Sequence, residues 1–425
     1  MCGRLKWQPA GRDDRLALPH PVGPLGPRMK LARRLDHIEP FYVMECAKAA
    51  AAIAASPACD PAQGGERMIF LNIGEPDFTA PPPVQEAAER AIRAGRSQYT
   101  EALGLPALRE ALSAWYAQRF GLNIPAGRIV ITAGASAALQ LACLALFEAG
   151  DEVLMPDPSY PCNRHFVAAA DALARRLPTG AAQRFQLTAA DVEQAWTPAT
   201  RGVLLASPSN PTGTSIHPDE MGRIDALVQR HGGVSIVDEI YLGLSYDSTF
   251  GQSALRLDGD ADEHIVSVNS FSKYFSMTGW RLGWLVLPQA LVAPVERLAQ
   301  NLFICASTVA QHAALACFHP ESIAEYERRR AEFKARRDWV VPALNQLGLT
   351  VPVLPDGAFY AYADCSAHSA NSWDFAFELM HRAHVALTPG RDFGRHDPAR
   401  WLRLSFASSR DKLDEALHRL RRELA

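Results

Sequence analysis

The amino-acid sequence predicts an α/β fold with two domains. A large domain contains a mostly parallel sheet, and a smaller α+β domain is formed by residues on either side of it in the sequence. Three observations predict this fold. Between about residues 66 and 290, short runs rich in β-branched residues alternate with helical patterns. These runs are apolar throughout, which is typical of parallel strands covered by helices on both faces. After residue 320 the pattern changes to long charged helices.

The predicted strands are the apolar runs at residues 128–132, 152–155, 202–206, 234–237, 264–268 and 282–287. The helix after the third run illustrates the connections between them. Pro218 suits its first turn, and Gly232 supplies its C-terminal stop. The residues between them form one apolar stripe at helical spacing, consisting of Met221, Ile224, Leu227 and Val228.

The smaller domain is predicted from both ends of the chain. A helix is expected at residues 41–55, ended by Ser56 and Pro57, and further helices at 321–347, bent or broken at Pro342, and at 411–424. Residues 1–28 are rich in Pro, Gly and Arg without any period, which predicts a disordered extension. The expected division is 29–70 for the N-terminal part of the small domain, 71–305 for the large domain and 306–425 for the C-terminal part of the small domain.

Composition excludes several classes of function. The 43 basic and 46 acidic residues give a net charge of −3, which offers no electrostatic basis for binding nucleic acid or an anionic membrane. No apolar run reaches the ~18 residues of a membrane span. The eight cysteines contain no Cys-x-x-Cys pair, so we expect reduced cytoplasmic thiols and no metal site. The arginines at 328–330 and 336–337 lie among acidic residues and predict a solvated helix face.

Polar residues collect just after the predicted strands, where ligands bind in open parallel sheets. Gly134, Ala135 and Ser136 follow the first strand and open a helix, an arrangement that suits phosphate but also occurs in ordinary turns. Asn210 lies in a turn after the third strand. Asp238 ends the fourth strand, and a buried carboxylate there needs a cation or hydrogen bonds.

Lys273 is the strongest catalytic candidate. It follows the fifth strand in the run Asn269-Ser-Phe-Ser-Lys273, and it is the only lysine between residues 49 and 333 in a chain that otherwise uses arginine for positive charge. Unlike arginine, lysine can lose its proton when desolvated, as a nucleophile that forms an imine must. Arg281 precedes the next strand and has a guanidinium suited to a phosphate.

These motifs resemble a known family. Asn210-Pro-Thr-Gly213, Asp238-Glu-Ile-Tyr241, Ser270-Phe-Ser-Lys273 and Gly279-Trp-Arg281, in this order, are similar to the class I/II aminotransferases of pyridoxal-phosphate fold type I. The resemblance begins at Ile38-Glu-Pro-Phe41 and extends to Arg403. It implies a fold type I transferase with a seven-stranded sheet, and a homodimer with shared active sites.

The resemblance also implies a role for each matching residue. Lys273 would form the internal aldimine with pyridoxal 5'-phosphate and move the substrate α-proton, and Asp238 would pair with the pyridinium nitrogen. Tyr241 and Asn210 would hydrogen-bond the phenolic oxygen of the cofactor, and Tyr160 would stack on its ring. The phosphate would be held by Gly134, Ala135, Ser136, Ser270, Ser272 and Arg281, with Tyr99 reaching it from the neighbouring subunit. Arg403 would clamp the substrate α-carboxylate, assisted by Asn210 and the backbone of Gly74.

The predicted reaction is transfer of the α-amino group of an L-amino acid to a 2-oxo acid by a ping-pong route. The same residues also serve elimination by carbon–sulfur lyases of this fold, and a regulator that binds the cofactor without turnover is a third hypothesis. The sequence does not identify the substrates. Arg391 and Arg395 are candidates for binding a second carboxylate, although surface arginine is the commoner explanation.

Overall fold

The computed structural model describes residues 30–259 and 263–424 of the chain. The predicted extension at 1–28 lies outside these residues. The chain divides into two compact units at Glu39 and Pro40. The described part of the first unit contains the 3-10 helix Arg33–His37, and the second unit contains the α-helices and strands of the described chain.

The strands described are β1 (Ile69–Phe70), β2 (Ile129–Thr132), β3 (Glu152–Asp157), β4 (Leu173–Pro178), β5 (Thr200–Ala206), β6 (Val234–Asp238), β7 (Ile265–Ser270), β8 (Gly283–Val286), β9 (Tyr360–Asp364), β10 (Val385–Ala386), β11 (Thr388–Pro389) and β12 (Trp401–Ser405). The helices described are α1 (Tyr42–Ala54), α2 (Pro82–Arg93), α3 (Pro106–Phe120), α4 (Gly134–Leu146), α5 (Pro161–Ala169), α6 (Ala189–Ala195), α7 (Pro218–Arg230), α8 (Gln289–Leu302), α9 (Thr308–Ala314), α10 (Pro320–Gln346), α11 (Ser372–Arg382) and α12 (Arg410–Leu424). Within the described ranges, no helix is long and apolar enough to cross a membrane.

Seven strands form one sheet in the order β2-β8-β7-β6-β5-β3-β4. Only β8 runs antiparallel to its neighbours in this sheet, so the predicted α/β fold with a mostly parallel sheet is confirmed. Successive residues of a strand point to opposite faces of the sheet. Accordingly, Ile129 and Ile131 belong to one buried apolar cluster and Val130 to another, which explains why the strands are apolar throughout.

A second, antiparallel sheet has the order β11-β12-β9, and β1 pairs with β10 in parallel. In this second sheet β12 is the central strand and carries Arg403, with Tyr362 of β9 and Thr388 of β11 as its cross-strand neighbours. The predicted helix at 41–55 is present as α1. The expected domain boundaries at 70 and 305 stay predictions.

Helix α10 differs in part from two expectations, the break at Pro342 and the solvated arginine face. It continues without a break through Pro342, with Val340, Val341 and Leu344 buried around the proline. Its arginines form a solvated face only in part, since Arg328 is exposed and pairs with Glu325, whereas Arg329, Arg336 and Arg337 are buried. Arg336 pairs with Asp77 at 2.8 Å, and Arg337 donates to the carbonyl of Pro355. Buried arginine is stable in this helix because its donors reach carboxylates and carbonyls, which the sequence pattern of the helix alone does not indicate.

Candidate active site

A cavity of about 390 Å³ brings together most of the predicted site residues. It lies beyond the ends of β6 and β7, as expected for a ligand in a parallel sheet. The predicted residues that line it are Gly74, Ala135, Ser136, Tyr160, Asn210, Asp238, Tyr241, Ser270, Ser272, Lys273, Arg281 and Arg403. Tyr99 is not among the lining residues, and its side chain is 79% exposed.

One end of the cavity is built to hold an anion. The helix α4 begins there at Gly134, and its first backbone N–H groups have no partner within the helix. Gly134 has φ of +81°, and a Cβ at this position would come within 2.7 Å of Nη2 of Arg281. The glycine therefore lets the guanidinium lie against the start of the helix. Free amides, the hydroxyls of Ser136 and Ser272 and a guanidinium together suit a phosphate.

The adjacent carboxylates Asp238 and Glu239 have contrasting surroundings, although both are buried. Glu239 accepts hydrogen bonds from the hydroxyls of Ser253 and Ser267 and from the amide of Ala254. Asp238 lines the cavity and accepts one backbone bond, from Ile240 at 3.2 Å. No cation in the described chain pairs with Asp238 within 4.0 Å. The cavity therefore contains a buried carboxyl group whose ionised form needs a cationic partner.

The surroundings of Asp238 place its titration near neutrality. Burial raises the pKa of its carboxyl to about 7, and the neighbouring Glu239 adds to this rise. The Ile240 amide, Lys273 and the Asn163 side chain oppose it. Asn163 is itself buried in the first turn of α5, and sequence reasoning missed it because no motif marks this position within the helix.

Lys273 is half-buried at the cavity wall, and its Nζ donates to the carbonyl of Gly74 at 2.7 Å. The amine lies 5.6 Å from the centre of the Tyr241 ring. Burial lowers the pKa of Lys273 to about 8, with Arg403 and Arg281 adding to the shift and Glu75 opposing it. A substantial fraction of this amine is therefore neutral, and so nucleophilic, near pH 8.

Arg403 is a buried guanidinium without a carboxylate partner in the described chain. Its Nη1 donates to Oδ1 of Asn210 at 2.8 Å, and its Nη2 donates to the carbonyl of Asn72 at 2.6 Å. Its Nε has no hydrogen-bond partner in the structure. Rings of Tyr360 and Phe393 lie 4.5 Å and 4.9 Å from its carbon Cζ. This group is held in place while retaining the capacity to bind an anion from the cavity.

Aromatic side chains complete the cavity. Tyr160 packs edge-on against Phe41, with ring centres 6.2 Å apart. The hydroxyls of Tyr241 and Tyr360 form a hydrogen bond of 2.7 Å. Tyr360 was not singled out from the sequence, and Phe41 was named only within a motif without a role in the site, because each contacts a cavity residue more than a hundred positions away.

The arrangement combines an amine of lowered pKa, a buried carboxylate, an anion site and a separate guanidinium. Such a set can hold an anionic cofactor covalently and bind a carboxylate substrate next to it. No cluster of three or more His, Cys, Asp or Glu residues suitable for a metal ion occurs in residues 30–259 and 263–424.

Comparison with known proteins agrees with this chemistry. A family model described as aminotransferase class I and II matches residues 66–420. Among curated proteins, a valine–pyruvate aminotransferase from Mycobacterium tuberculosis is 38% identical over 386 residues, covering 90% of this chain and 96% of the relative. An aspartate aminotransferase from Pyrococcus horikoshii is 33% identical, covering 84% of this chain and 91% of that protein.

Solved structures give the same result. An aminotransferase from Mycobacterium tuberculosis superimposes with a TM-score of 0.86 at 37% identity, covering 93% of this chain and 99% of the other. The aspartate aminotransferase from Thermus thermophilus with maleate superimposes with a TM-score of 0.84 at 31% identity, also covering 93% and 99%. These likenesses extend over nearly all of the described fold.

Proposed function

This chain belongs to the aminotransferase class I and II family and is an aminotransferase of fold type I, and from this premise we propose its specific reaction. It transfers the α-amino group of an L-amino acid to a 2-oxo acid by a ping-pong route, with pyridoxal 5'-phosphate as cofactor. One observation carries the proposal: Lys273, Asp238, Arg281 and Arg403 line a single cavity.

The residues of the cavity fit this cofactor. A phosphate suits the anion site formed by Gly134, Ala135, Ser136, Ser270, Ser272 and Arg281. A protonated ring nitrogen supplies the cation that Asp238 lacks, and pairing with it would reverse the rise in the carboxyl pKa caused by burial. Tyr160 is the candidate to stack on the ring, and Asn210 and Tyr241 are the candidates to bind its phenolic oxygen. When bound, pyridoxal phosphate supplies an electron sink that makes the substrate α-carbon acidic.

Lys273 is proposed as the base that removes the α-carbon proton. Its neutral form is accessible because burial lowers its pKa to about 8. The hydrogen bond to the carbonyl of Gly74 fixes the position of Nζ at the cavity wall. Holding the substrate α-carbon near this amine makes the proton transfer effectively intramolecular.

Arg403 is proposed to bind the α-carboxylate of the donor and of the 2-oxo acid. Its planar guanidinium suits a carboxylate, and the bonds to Asn210 and Asn72 fix its orientation. The rings of Tyr360 and Phe393 exclude water around it and so strengthen the ion pair.

We further propose a donor with an apolar side chain. One wall of the cavity is apolar. It is formed by α1 and the residue before it, and Ile73 extends it; its side chains are Phe41, Val43, Met44, Ala47 and Ile73. The three cations of the lining, Lys273, Arg281 and Arg403, are already assigned. Arg391 instead stacks over Tyr42, 4.8 Å from the ring centre, and neither it nor Arg395 lines the cavity. The name of the valine–pyruvate relative supports this donor class, whereas the aspartate aminotransferases make aspartate the comparison to test.

A homodimer with shared sites is part of the proposal. Tyr99 matches a family residue that reaches the phosphate from the neighbouring subunit, and its exposure is consistent with contact to a second copy. Leu302 and Ile304 are also large apolar side chains that are about half exposed. Single exposed side chains of this kind also occur on monomers, so the match of Tyr99 carries this part of the proposal.

The experiment is a donor panel of valine, leucine, phenylalanine and aspartate, each with pyruvate or 2-oxoglutarate. We expect a new amino acid derived from the 2-oxo acid, with kcat/KM for the apolar donors at least about tenfold above that for aspartate, since a second carboxylate would lie unpaired in the cavity. Ammonia, pyruvate and sulfide released from added cysteine, which carries a sulfur leaving group on its β-carbon, without transfer from any donor, would instead identify a lyase. Binding of the cofactor without any turnover would identify a regulator.

A further inference from the structure

The hydroxyls of Tyr241 and Tyr360 are 2.7 Å apart, and either oxygen is geometrically able to donate. Tyr241 follows β6, whereas Tyr360 begins β9 of the second sheet. Both side chains are buried and both line the cavity. Each hydroxyl has one proton, so the direction of this bond decides which proton remains available to a ligand.

The surroundings of the pair favour Tyr360 as the donor. Burial raises the pKa of both hydroxyls. At Tyr360 this rise in pKa is opposed mainly by the positive charge of Arg403. The Cζ of Arg403 lies 4.5 Å from the centre of the Tyr360 ring. Arg403 opposes the rise at Tyr241 as well. The nearest cation to the Tyr360 ring is thus closer than Lys273, whose Nζ lies 5.6 Å from the centre of the Tyr241 ring, and a nearby positive charge strengthens a hydroxyl as a donor.

The position of Tyr360 is tightly defined. A Cβ on Gly74 would lie 2.5 Å from its hydroxyl oxygen, so only glycine leaves room for it there. The same Gly74 accepts the hydrogen bond from Nζ of Lys273 through its carbonyl. Tyr360 thus contacts three parts of the site. They are Gly74, which positions the Lys273 amine, Tyr241, which lies beside that amine, and the guanidinium of Arg403, which is proposed to bind substrate.

We propose that Tyr360 is a positioning residue whose hydroxyl donates to Tyr241, so that the Tyr241 proton is directed at the phenolic oxygen of the cofactor joined to Lys273. The inference rests on the proposed function. It adds a second tyrosine, from a different sheet, that acts only through the first. The charged and titratable groups facing the pair are Arg403, Lys273 and Tyr160.

The test is a pH titration of the visible absorption of the protein loaded with pyridoxal phosphate. Donation from Tyr241 stabilises the ionised phenolic oxygen, and a chain of hydrogen bonds strengthens each member. We therefore expect Tyr360→Phe to raise the midpoint pH of the absorption titration by about half a pH unit. If Tyr241 instead donates to Tyr360, the substitution frees the Tyr241 proton and the midpoint falls. A fall, or no change, would overturn the proposal.

Two further variants isolate the effect. Tyr362→Phe removes a buried hydroxyl from the same strand and should leave the midpoint unchanged. In a Tyr241→Phe background, Tyr360→Phe should add no further shift, since Tyr360 acts through Tyr241. A further shift of the same size in that background would show that Tyr360 acts on the cofactor directly.

A second variant, for which a shift in the opposite direction is expected, tests the proposal if Tyr360→Phe does not fold. Replacing Tyr360 by 3-fluorotyrosine keeps the shape of the side chain and makes its hydroxyl a stronger donor, so the midpoint should fall below the wild-type value. A rise or no change contradicts the proposal. If the unmodified protein develops no visible band with pyridoxal phosphate, the proposed function itself fails, whereas a band with the wrong shifts overturns only the role of Tyr360.

Discussion

Nη1 of Arg403 donates to Oδ1 of Asn210 over 2.8 Å, although the two residues are 193 positions apart. Arg403 lies at the centre of the antiparallel sheet, and Asn210 lies in the turn that follows β5 of the large sheet. The bond joins the residue proposed to bind the substrate carboxylate to a residue proposed to bind the cofactor. This hydrogen bond therefore links the proposed substrate site to the proposed cofactor site.

This relationship predicts the effect of Arg403→Lys. Lysine keeps the charge but cannot bond Asn210, the Asn72 carbonyl and a carboxylate in one plane. The loss of about 2–3 kcal/mol of binding predicts a KM for the amino donor about 30- to 150-fold higher. Steady-state kinetics with Arg400→Lys as the control tests this, because Arg400 pairs with Asp364 on the outer part of the same sheet. An equal effect of both variants contradicts the assignment.

Asp238→Asn is expected to lower kcat by roughly a hundredfold while leaving the fold intact, because the amide is isosteric but cannot hold a cation. The matched control is Glu239→Gln. Glu239 is surrounded by three donors, so its amide variant should lose about 2 kcal/mol of unfolding free energy and keep most of its kcat. Denaturant unfolding and initial rates together check both variants. Loss of activity confined to the Glu239 variant would contradict the roles proposed for the two carboxylates.

Capture of pyridoxal phosphate by the apoprotein should depend on pH with a midpoint near 8. Burial lowers the pKa of Lys273 to this value from an ordinary 10.5, and only the neutral amine attacks an aldehyde. The capture rate should therefore rise about tenfold per pH unit below the midpoint and level off above it. Glu75 raises this pKa, so Glu75→Gln should move the midpoint to lower pH. Stopped-flow absorbance measures both, and a midpoint near 10.5 would exclude a desolvated Lys273.

Tyr99→Phe should weaken binding of pyridoxal phosphate about tenfold, even though Tyr99 does not line the cavity of its own chain. Loss of one hydrogen bond to a charged phosphate corresponds to about 1.5 kcal/mol. Cofactor titration together with sedimentation measures affinity and assembly state. A monomeric protein that binds the cofactor equally well with either residue would contradict a shared site.

The sequence predicted the central strands of the sheet because strands buried on both faces give apolar runs, as in β5 and β6. It missed the edge strand β4, whose residues Arg175 and Arg176 are only partly buried and break the apolar pattern. It also predicted a bend or break at Pro342, whereas packing of Val340, Val341 and Leu344 is consistent with an unbroken α10. Local sequence patterns thus identify strands that are buried on both faces. They do not identify a partly exposed edge strand, or a helix that packing keeps unbroken at a proline.

The same distinction applies to the site. Residues that follow strand ends, such as Asp238 and Lys273, were predicted because the topology brings those ends to one edge of the sheet. Tyr360 reaches its hydroxyl partner across 119 positions, and Asn72 contributes a backbone carbonyl rather than its side chain. Contacts of this kind depend on how the second sheet packs, and no spacing rule in the sequence specifies them.

The most direct test of the proposed role of Lys273 is to reduce the protein loaded with pyridoxal phosphate with borohydride and map the modified residue by mass spectrometry. The chain offers six lysines, at positions 6, 30, 48, 273, 334 and 412. We expect a stable adduct on Lys273, and its absence, together with loss of the yellow colour, in Lys273→Ala. An adduct on another lysine in the active protein, or unchanged colour and turnover in Lys273→Ala, would contradict this role.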